Sequence, residues 1–304
     1  MKFSTEHGKL SVVGRSLVDQ KGNPIQLKGL STHAVSWYPE YIQEDAFATF
    51  QKDWKANLIR LAMYTAEENA YCTDGDKEVI KATVAKGVEE ASKLGMYVIV
   101  DWHILQDNSP AINKEEAIHF FDEMAKKYAS YDNVIYEICN EPNGEEVSWD
   151  IVREYAMDII PVIRKHDKDG VILIGTPCWS QDVDEAIKNP VVGYENIMYV
   201  LHFYAASHKE ELRQRLRTVL DKDFPVFISE FSICDASGNG IIDYEEAEKW
   251  FQLIAKYNLS YAAWNVSNKD ESSAIIVPTC KKLSGWDIED YSDTARWIKE
   301  KMSE

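Results

Sequence analysis

Two carboxylic acids, Glu141 and Glu230, each close a short apolar run. The first ends Val134-Ile135-Tyr136-Glu137-Ile138-Cys139-Asn140-Glu141-Pro142, and the second ends Pro225-Val226-Phe227-Ile228-Ser229-Glu230. Runs of this kind read as buried strands, and Pro142 has no N–H with which to continue a ladder. Each acid therefore stands where a strand stops and a loop begins. A carboxylate there is a helix cap, a salt-bridge partner or a catalytic acid. Two such acids facing one cavity are the minimal equipment for splitting a glycosidic bond. One must then hold its proton near neutral pH while the other is ionised. Environment has to separate their pKa values, by a cation near one and poorer solvation or a like charge near the other.

Two acids so far apart in sequence meet only if a repeating scaffold brings their strand ends together. The chain supplies that repeat. Candidate strands at Ile25–Leu30, Asn57–Tyr64, Tyr97–His103, Val134–Asn140, Val171–Thr176, Ile197–Tyr204, Pro225–Glu230 and Leu259–Asn265 alternate with amphipathic segments. Those segments are Asp45–Ala56, Lys77–Leu94, Lys114–Ala129, Val147–His166, Asp182–Lys188, Lys209–Leu220, Tyr244–Tyr257 and Asp290–Lys301. Continuous apolar strands are what a parallel sheet covered on both faces requires. Eight strand–helix units predict an α/β fold, a (β/α)8 TIM barrel, preceded by a short N-terminal β-hairpin. That hairpin is expected from the runs at Leu10–Gly14 and Ile25–Gly29 around the turn-like Asp19–Pro24. No GxGxxG opens the chain, which disfavours an open dinucleotide-binding sheet. Without a Pro/Ser-rich linker, residues 1–304 are expected to form one catalytic domain, with 1–9 as a tail.

In such a barrel the chemistry sits at the C-terminal ends of the strands. His33, His103, Asn140, Glu141, His202, Tyr204, Glu230 and Trp264 fall there, with Arg60 inside the second strand. Any one alone is ordinary capping; so many on one rim point to a site.

The motifs around these residues resemble those of glycoside hydrolase family 5, the cellulases and related β-glycanases. Ile135–Gly144 is similar to the family's Asn-Glu-Pro signature, and Leu27–Tyr38 to its first strand and loop. Val100–His103, Leu201–Ala206 and Phe227–Phe231 resemble its third, sixth and seventh strands, so the likeness runs from about residue 10 to residue 300. It implies a retaining, endo-acting β-1,4-glucanase in which Glu141 is the acid/base and Glu230 the nucleophile. Arg60 and Tyr204 match positions that hold the nucleophile, and Asn140 one that binds the sugar 2-hydroxyl. His103 and His202 match residues lining the site, and His33 one deeper in the cleft. Trp37, Trp179 and Trp264 match rings along the cleft, and Lys269 and Glu271 match sugar-hydroxyl contacts in the cellulase branch. The resemblance further implies cellulose or mixed-linkage β-glucan as the polymer and its oligosaccharides as partners, secretion from the cell, and no metal or other cofactor. A β-mannanase or xyloglucanase of the same family is the alternative, and a catalytically inactive polysaccharide-binding barrel the alternative from another class. Both carboxylates are present, which disfavours the last.

The formal net charge of −18 disfavours nucleic acid as a partner, since phosphates would be repelled. Neither a basic-then-apolar signal in residues 1–10 nor an apolar run of the roughly 18 residues a membrane span needs is visible. A secreted enzyme lacking its signal would read the same. The five Cys, widely spaced and without a CxxC pair, suggest neither a disulfide framework nor a zinc knuckle. Asp235–Glu246 has the spacing of a calcium-binding EF-hand loop, yet it follows a strand rather than a helix, and capping of the Tyr244 helix is the favoured reading. His33, His103 and His202 could hold a metal as in barrel amidohydrolases, but no His-x-His marks the first strand.

Overall fold

The structure, a computed structural model, describes residues 5–303. Among these residues ten strands form: β1 (Ser11–Val13), β2 (Ser16–Val18), β3 (Lys28–Thr32), β4 (Leu58–Tyr64), β5 (Tyr97–His103), β6 (Val134–Glu137), β7 (Ile172–Ile174), β8 (Ile197–Tyr204), β9 (Val226–Ser232) and β10 (Tyr261–Val266). Strands β3 to β10 close into a parallel barrel in which β10 pairs with both β9 and β3. Helices wrap it, including Glu44–Trp54, Lys77–Lys93, Lys114–Tyr128, Trp149–His166, Glu210–Leu220, Tyr244–Tyr257 and Asp293–Ser303. This is the (β/α)8 barrel that the alternation predicts. No helix among the described residues is long and apolar enough to cross a membrane.

The hairpin exists but turns elsewhere than expected. β1 and β2 pair antiparallel around Gly14-Arg15, and Asp19–Pro24 makes a separate turn whose Asp19 carboxylate accepts from the N–H groups of Lys21 and Asn23. Residues 1–4 of the expected tail lie outside the described residues. The remainder lies across the barrel floor, where the Tyr97 hydroxyl donates to the Gly8 carbonyl at 2.6 Å and Lys9 pairs with Asp167 at 2.6 Å.

The strands alternate, one face inward and one toward the helices. Outward residues such as Leu61, Val98, Val100, Tyr136 and Leu201 join the large cluster under the helices. Inward residues near the strand starts, among them Leu27, Leu58, Tyr97, Ile99, Ile135, Val200 and Phe227, form a second cluster sealed below by Leu10, Leu17 and Ile25. Gly29 serves this interior, because a Cβ there would lie 2.4 Å from the Leu58 carbonyl oxygen of the neighbouring strand.

Above the apolar layers the register shifts on β10, between Trp264 and Val266 against β3, and on β9. Between Val200 and His202 the partners on β9 are Phe227 and Glu230, so β9 carries one extra residue against both β8 and β10. A bulge of this kind re-aims side chains. Here it turns two consecutive residues, Ser229 and Glu230, toward the barrel axis, where both bond to inward groups of other strands.

Candidate active site

The apolar interior gives way to ionisable groups two residues further along β4, β5, β6 and β8. Arg60 follows Leu58, Asp101 follows Ile99, Glu137 follows Ile135 and His202 follows Val200, and all four are essentially unexposed. A guanidinium buried so completely needs anionic partners. Arg60 has three. It grips both oxygens of Glu137, Nε to Oε2 at 2.8 Å and Nη2 to Oε1 at 3.0 Å. Its Nη2 also lies 3.0 Å from Asp101, and its Nη1 donates to Glu230 Oε2 at 3.1 Å.

Glu230 is held at both oxygens, since the Tyr204 hydroxyl donates to Oε1 at 2.7 Å. Burial raises its pKa, opposed by Arg60, by the nearby His103 and by the Tyr204 bond. Burial also lifts the Tyr204 phenol well above its usual range, so it remains a donor. Glu141 sits opposite with no cation bonded to it. Its one side-chain partner is the ring of His202, Nδ1 to Oε1 at 2.8 Å. Burial first, and the Glu230 charge second, push Glu141 well above the ordinary carboxylate range. The two environments divide the roles, with the proton on Glu141 and the charge on Glu230. One oxygen of each carboxylate and one nitrogen of His202 lie within 4.8 Å of one another.

Three buried carboxyl groups share one guanidinium, and burial drives both Asp101 and Glu137 up to about 7 against the pull of Arg60. Asp101 Oδ2 meets Arg60 and His103, whereas its buried Oδ1 has no hydrogen-bond partner. Both Glu137 oxygens accept from the guanidinium. The proton retained by the cluster is therefore placed better on Asp101, and Glu137 is the better-solvated anion.

Over this layer opens a cleft of about 800 Å³. Of the residues singled out from sequence, His33, Trp37, His103, Glu141, Trp179, His202, Tyr204, Glu230, Trp264, Lys269 and Glu271 line it. Arg60 and Asn140 lie beneath its floor, both unexposed, with Asn140 Oδ1 accepting from Arg60 at 2.6 Å and Nδ2 donating to the Ile104 carbonyl. At one end His33, Tyr64, His103 and Trp264 pack ring against ring, with Trp37 stacked on Tyr64 at 5.3 Å and 37% exposed. Lys269 pairs there with Glu271 at 2.6 Å, beside His33. At the other end Trp179 stands 46% exposed on a turn after β7, where Cys178, Trp179 and Ser180 all have positive φ, 57°, 54° and 56°. Left-handed backbone costs about 1–2 kcal/mol per non-glycine residue, and three in a row at a cleft edge mark a ring held out deliberately. The Ser180 hydroxyl anchors the turn by donating to the Asn140 carbonyl at 2.6 Å.

Sequence reasoning passed over Glu137, Asp101, Ser229 and Tyr64. Glu137 and Asp101 carried a usable signal, a charge inside an apolar run, which must be paired if the run is buried. Ser229 carried none, because in a regular strand it would face away from Glu230.

The other candidate sites resolve differently. Among the described residues the side chains whose ligand atoms converge are Glu141, His202 and Glu230, not the three histidines. In the Asp235–Glu246 loop, Asp235 turns back onto Ser237, Asp243 caps the helix Tyr244–Tyr257 and bonds Lys209, and Glu246 pairs with Arg213 and Lys249. Its acids are spoken for by cations and N–H groups. All five cysteines are free thiols.

Residues 18–270 match the model of the cellulase family, glycosyl hydrolase family 5. Endoglucanase A of Butyrivibrio fibrisolvens is 46% identical over 98% of the chain and 69% of its own length. An endoglucanase of Clostridium saccharobutylicum is 42% identical over 97% of the chain and 65% of its own length. The chain thus spans about two thirds of the curated relatives it matches. Among solved structures, a Thermobifida fusca endoglucanase catalytic domain in complex with cellotetraose superposes with a TM-score of 0.92 at 37% identity, covering 98% of each chain.

Proposed function

The chain belongs to glycosyl hydrolase family 5, the cellulase family, and from that premise we propose that it is a retaining endo-β-1,4-glucanase whose residues 1–304 act as one catalytic domain. Cellulose or mixed-linkage β-glucan is the polymer, bound with its oligosaccharides along the cleft. A polymer of that size does not cross a membrane, so the enzyme works outside the cell.

The observation that carries this reading is the unequal treatment of two carboxyls that share one cavity. Retaining pairs stand about 5–5.5 Å apart, too close to admit the water that an inverting pair needs. Glu141 and Glu230 have oxygens within 4.8 Å of each other and of His202. Glu230, kept ionised by Arg60 and Tyr204, attacks the anomeric carbon. Glu141 gives its proton to the departing glycosidic oxygen. A covalent glycosyl-Glu230 results, and Glu141, now a carboxylate, takes a proton from the water that releases the sugar. Arg60 and Tyr204 receive Glu230 as the leaving group without moving. Trp264 offers a flat apolar face beside the reacting pair, Trp37 and Trp179 extend it in opposite directions, and Lys269, Glu271 and His33 present polar atoms to hydroxyls. Asn140, fixed from below by Arg60, is assigned the sugar 2-hydroxyl, and His103 and His202 frame the site.

Azide tests the assignment directly. Glu230→Ala should be inactive on soluble cellulose and regain turnover with azide, releasing a glycosyl azide of inverted configuration. Recovery of a retained azide, or of none, would remove Glu230 as nucleophile.

A further inference from the structure

A continuous line of hydrogen bonds runs from Glu141 into the buried layer. His202 Nδ1 meets Glu141 Oε1 at 2.8 Å, His202 Nε2 meets Ser229 Oγ at 2.9 Å, and Ser229 Oγ donates to Glu137 Oε1 at 2.7 Å. His202, Ser229 and Glu137 are essentially unexposed, so water cannot substitute between the ring and Glu137, and Glu141 stands at the cleft end of the line. We propose that Glu137, acting through Ser229 and His202, keeps Glu141 protonated and so arms it as the acid. This rests on the assignment of Glu141 above.

Both oxygens of Glu137 already accept from Arg60, so Glu137 has no proton to give and the Ser229 hydroxyl must donate to it. A hydroxyl has one proton. With that proton committed to Glu137, Ser229 Oγ can only accept from His202, which places a hydrogen on Nε2. His202 is neutral, since burial and the Arg60 charge hold its pKa well below the ordinary range. A neutral imidazole with its proton on Nε2 has a bare lone pair on Nδ1. That lone pair faces Glu141 Oε1, and the contact is favourable only when Glu141 supplies the proton.

The surroundings do not provide a competing donor to Glu141. From β4, Arg60 is committed to Asp101, Glu137, Glu230 and Asn140, and Tyr64 lies in the aromatic stack. On β5, His103 is bonded to Asp101. From β8 and the loop after it, Tyr204 donates to Glu230, and the His208 ring accepts from the Tyr204 N–H. On β9, Glu230 is a like charge that further discourages ionisation of Glu141. Once Glu141 has released its proton to the leaving oxygen, it faces the Nδ1 lone pair without a donor. It is then a strong base toward the incoming water, as the second half-reaction requires. Glu137 and Ser229 are positioning residues, and neither touches substrate.

Two measurements test the line. In the native enzyme, ¹⁵N NMR of His202 should show a protonated Nε2 and a bare Nδ1 at pH values on the active plateau; a proton on Nδ1 there would overturn the proposal. In Ser229→Ala the tautomer is released, Nδ1–H can stabilise ionised Glu141, and the alkaline limb of kcat/KM should move down by about one pH unit or more. Ser229→Thr, which keeps the hydroxyl, should return the limb toward its native position. A uniform loss of kcat with the limb unmoved would show that Ser229 is merely structural and would sink the proposal. Glu141→Gln separates the two readings. If that variant turns over like the native enzyme, the assignment of Glu141 itself has failed; if it is dead while the Ser229→Ala limb stays put, only the proton line has.

Discussion

At the floor of the barrel Leu58, Ile99, Ile135, Val200 and Phe227 pack against one another, and two residues higher on the same strands stand Arg60, Asp101, Glu137, His202 and Ser229. The backbone is equally regular on either side of this boundary apart from the bulge on β9 and the register shift near the end of β10. The energetics are opposite. Each apolar side chain buried below contributes about 1.5–3 kcal/mol. Each ion buried above costs several kcal/mol of desolvation, recovered only through good geometry with its partners. The lower half therefore stabilises the fold while the upper half spends stability on groups held in set protonation states. Residues below the boundary should act on stability alone, and residues above it on catalysis, stability or both according to whether a partner would be stranded.

The sharpest separation is expected at the catalytic pair. Glu141→Gln and Glu230→Gln should each lower kcat/KM on soluble cellulose by roughly 10³-fold or more, about 4 kcal/mol of transition-state stabilisation. Thermal unfolding should show midpoints equal to or above native, because a buried carboxyl that resists ionising is replaced by a neutral amide. A large fall in midpoint for Glu141→Gln would blur the boundary.

Arg60→Leu should cross it. Removing the guanidinium strands Glu137 and Glu230 as buried anions, and losing one partner of a buried pair costs about 3–5 kcal/mol. Denaturant unfolding should register that loss together with a loss of activity; a stable, inactive variant would mean that the carboxyls simply take up protons.

Leu27→Ala is the mirror case. A fully buried floor residue truncated to alanine should cost about 2–5 kcal/mol in unfolding free energy, while kcat below the unfolding transition stays native. A changed kcat would show that strain travels from floor to rim.

The pH dependence gives a smaller contrast within the upper half. Burial keeps the proton on Asp101 to about 7 in the fold, whereas in the unfolded chain it ionises near the ordinary aspartate value of 3.8. Between those values the folded state binds more protons, so stability attributable to this group falls as pH rises and levels off above about 7. Unfolding midpoints from pH 4 to 8 in wild type and Asp101→Asn should differ most in slope across that window, the variant being flatter.

Trp179→Ala, at the exposed edge, is expected to leave the unfolding midpoint unchanged and to raise KM for short oligosaccharides about tenfold, equivalent to about 1.4 kcal/mol.

How far the site was legible follows from where each residue lies relative to the strand pattern. Glu141 and Glu230 were readable because an acid at the end of an apolar run is conspicuous, and Pro142 marks one of those ends. Trp37, Trp179 and Trp264 were readable as rings near strand ends, but nothing in the local sequence announces that Trp179 is held outward on a left-handed turn. The hairpin was expected around Asp19–Pro24 because that stretch is richer in turn residues than Gly14-Arg15, and the tighter turn won by pairing Ser11–Val13 with Ser16–Val18. Glu137 reads from sequence as one more residue of a strand, although its charge inside Val134–Cys139 requires a buried partner.

The sequence by itself determined the eightfold alternation, the apolar faces and the identities of the two acids, because these depend on period and residue type along a short stretch of chain. Tertiary structure alone decided what those acids are worth. Closing the barrel inserted one extra residue in β9, which faces Ser229 and Glu230 inward together and so places Glu230 on Arg60 and Tyr204 and Ser229 between His202 and Glu137. Which carboxyl keeps its proton is a property of through-space partners drawn from β4, β6, β8 and β9, and no local pattern encodes a sum over groups that only the closed barrel brings together.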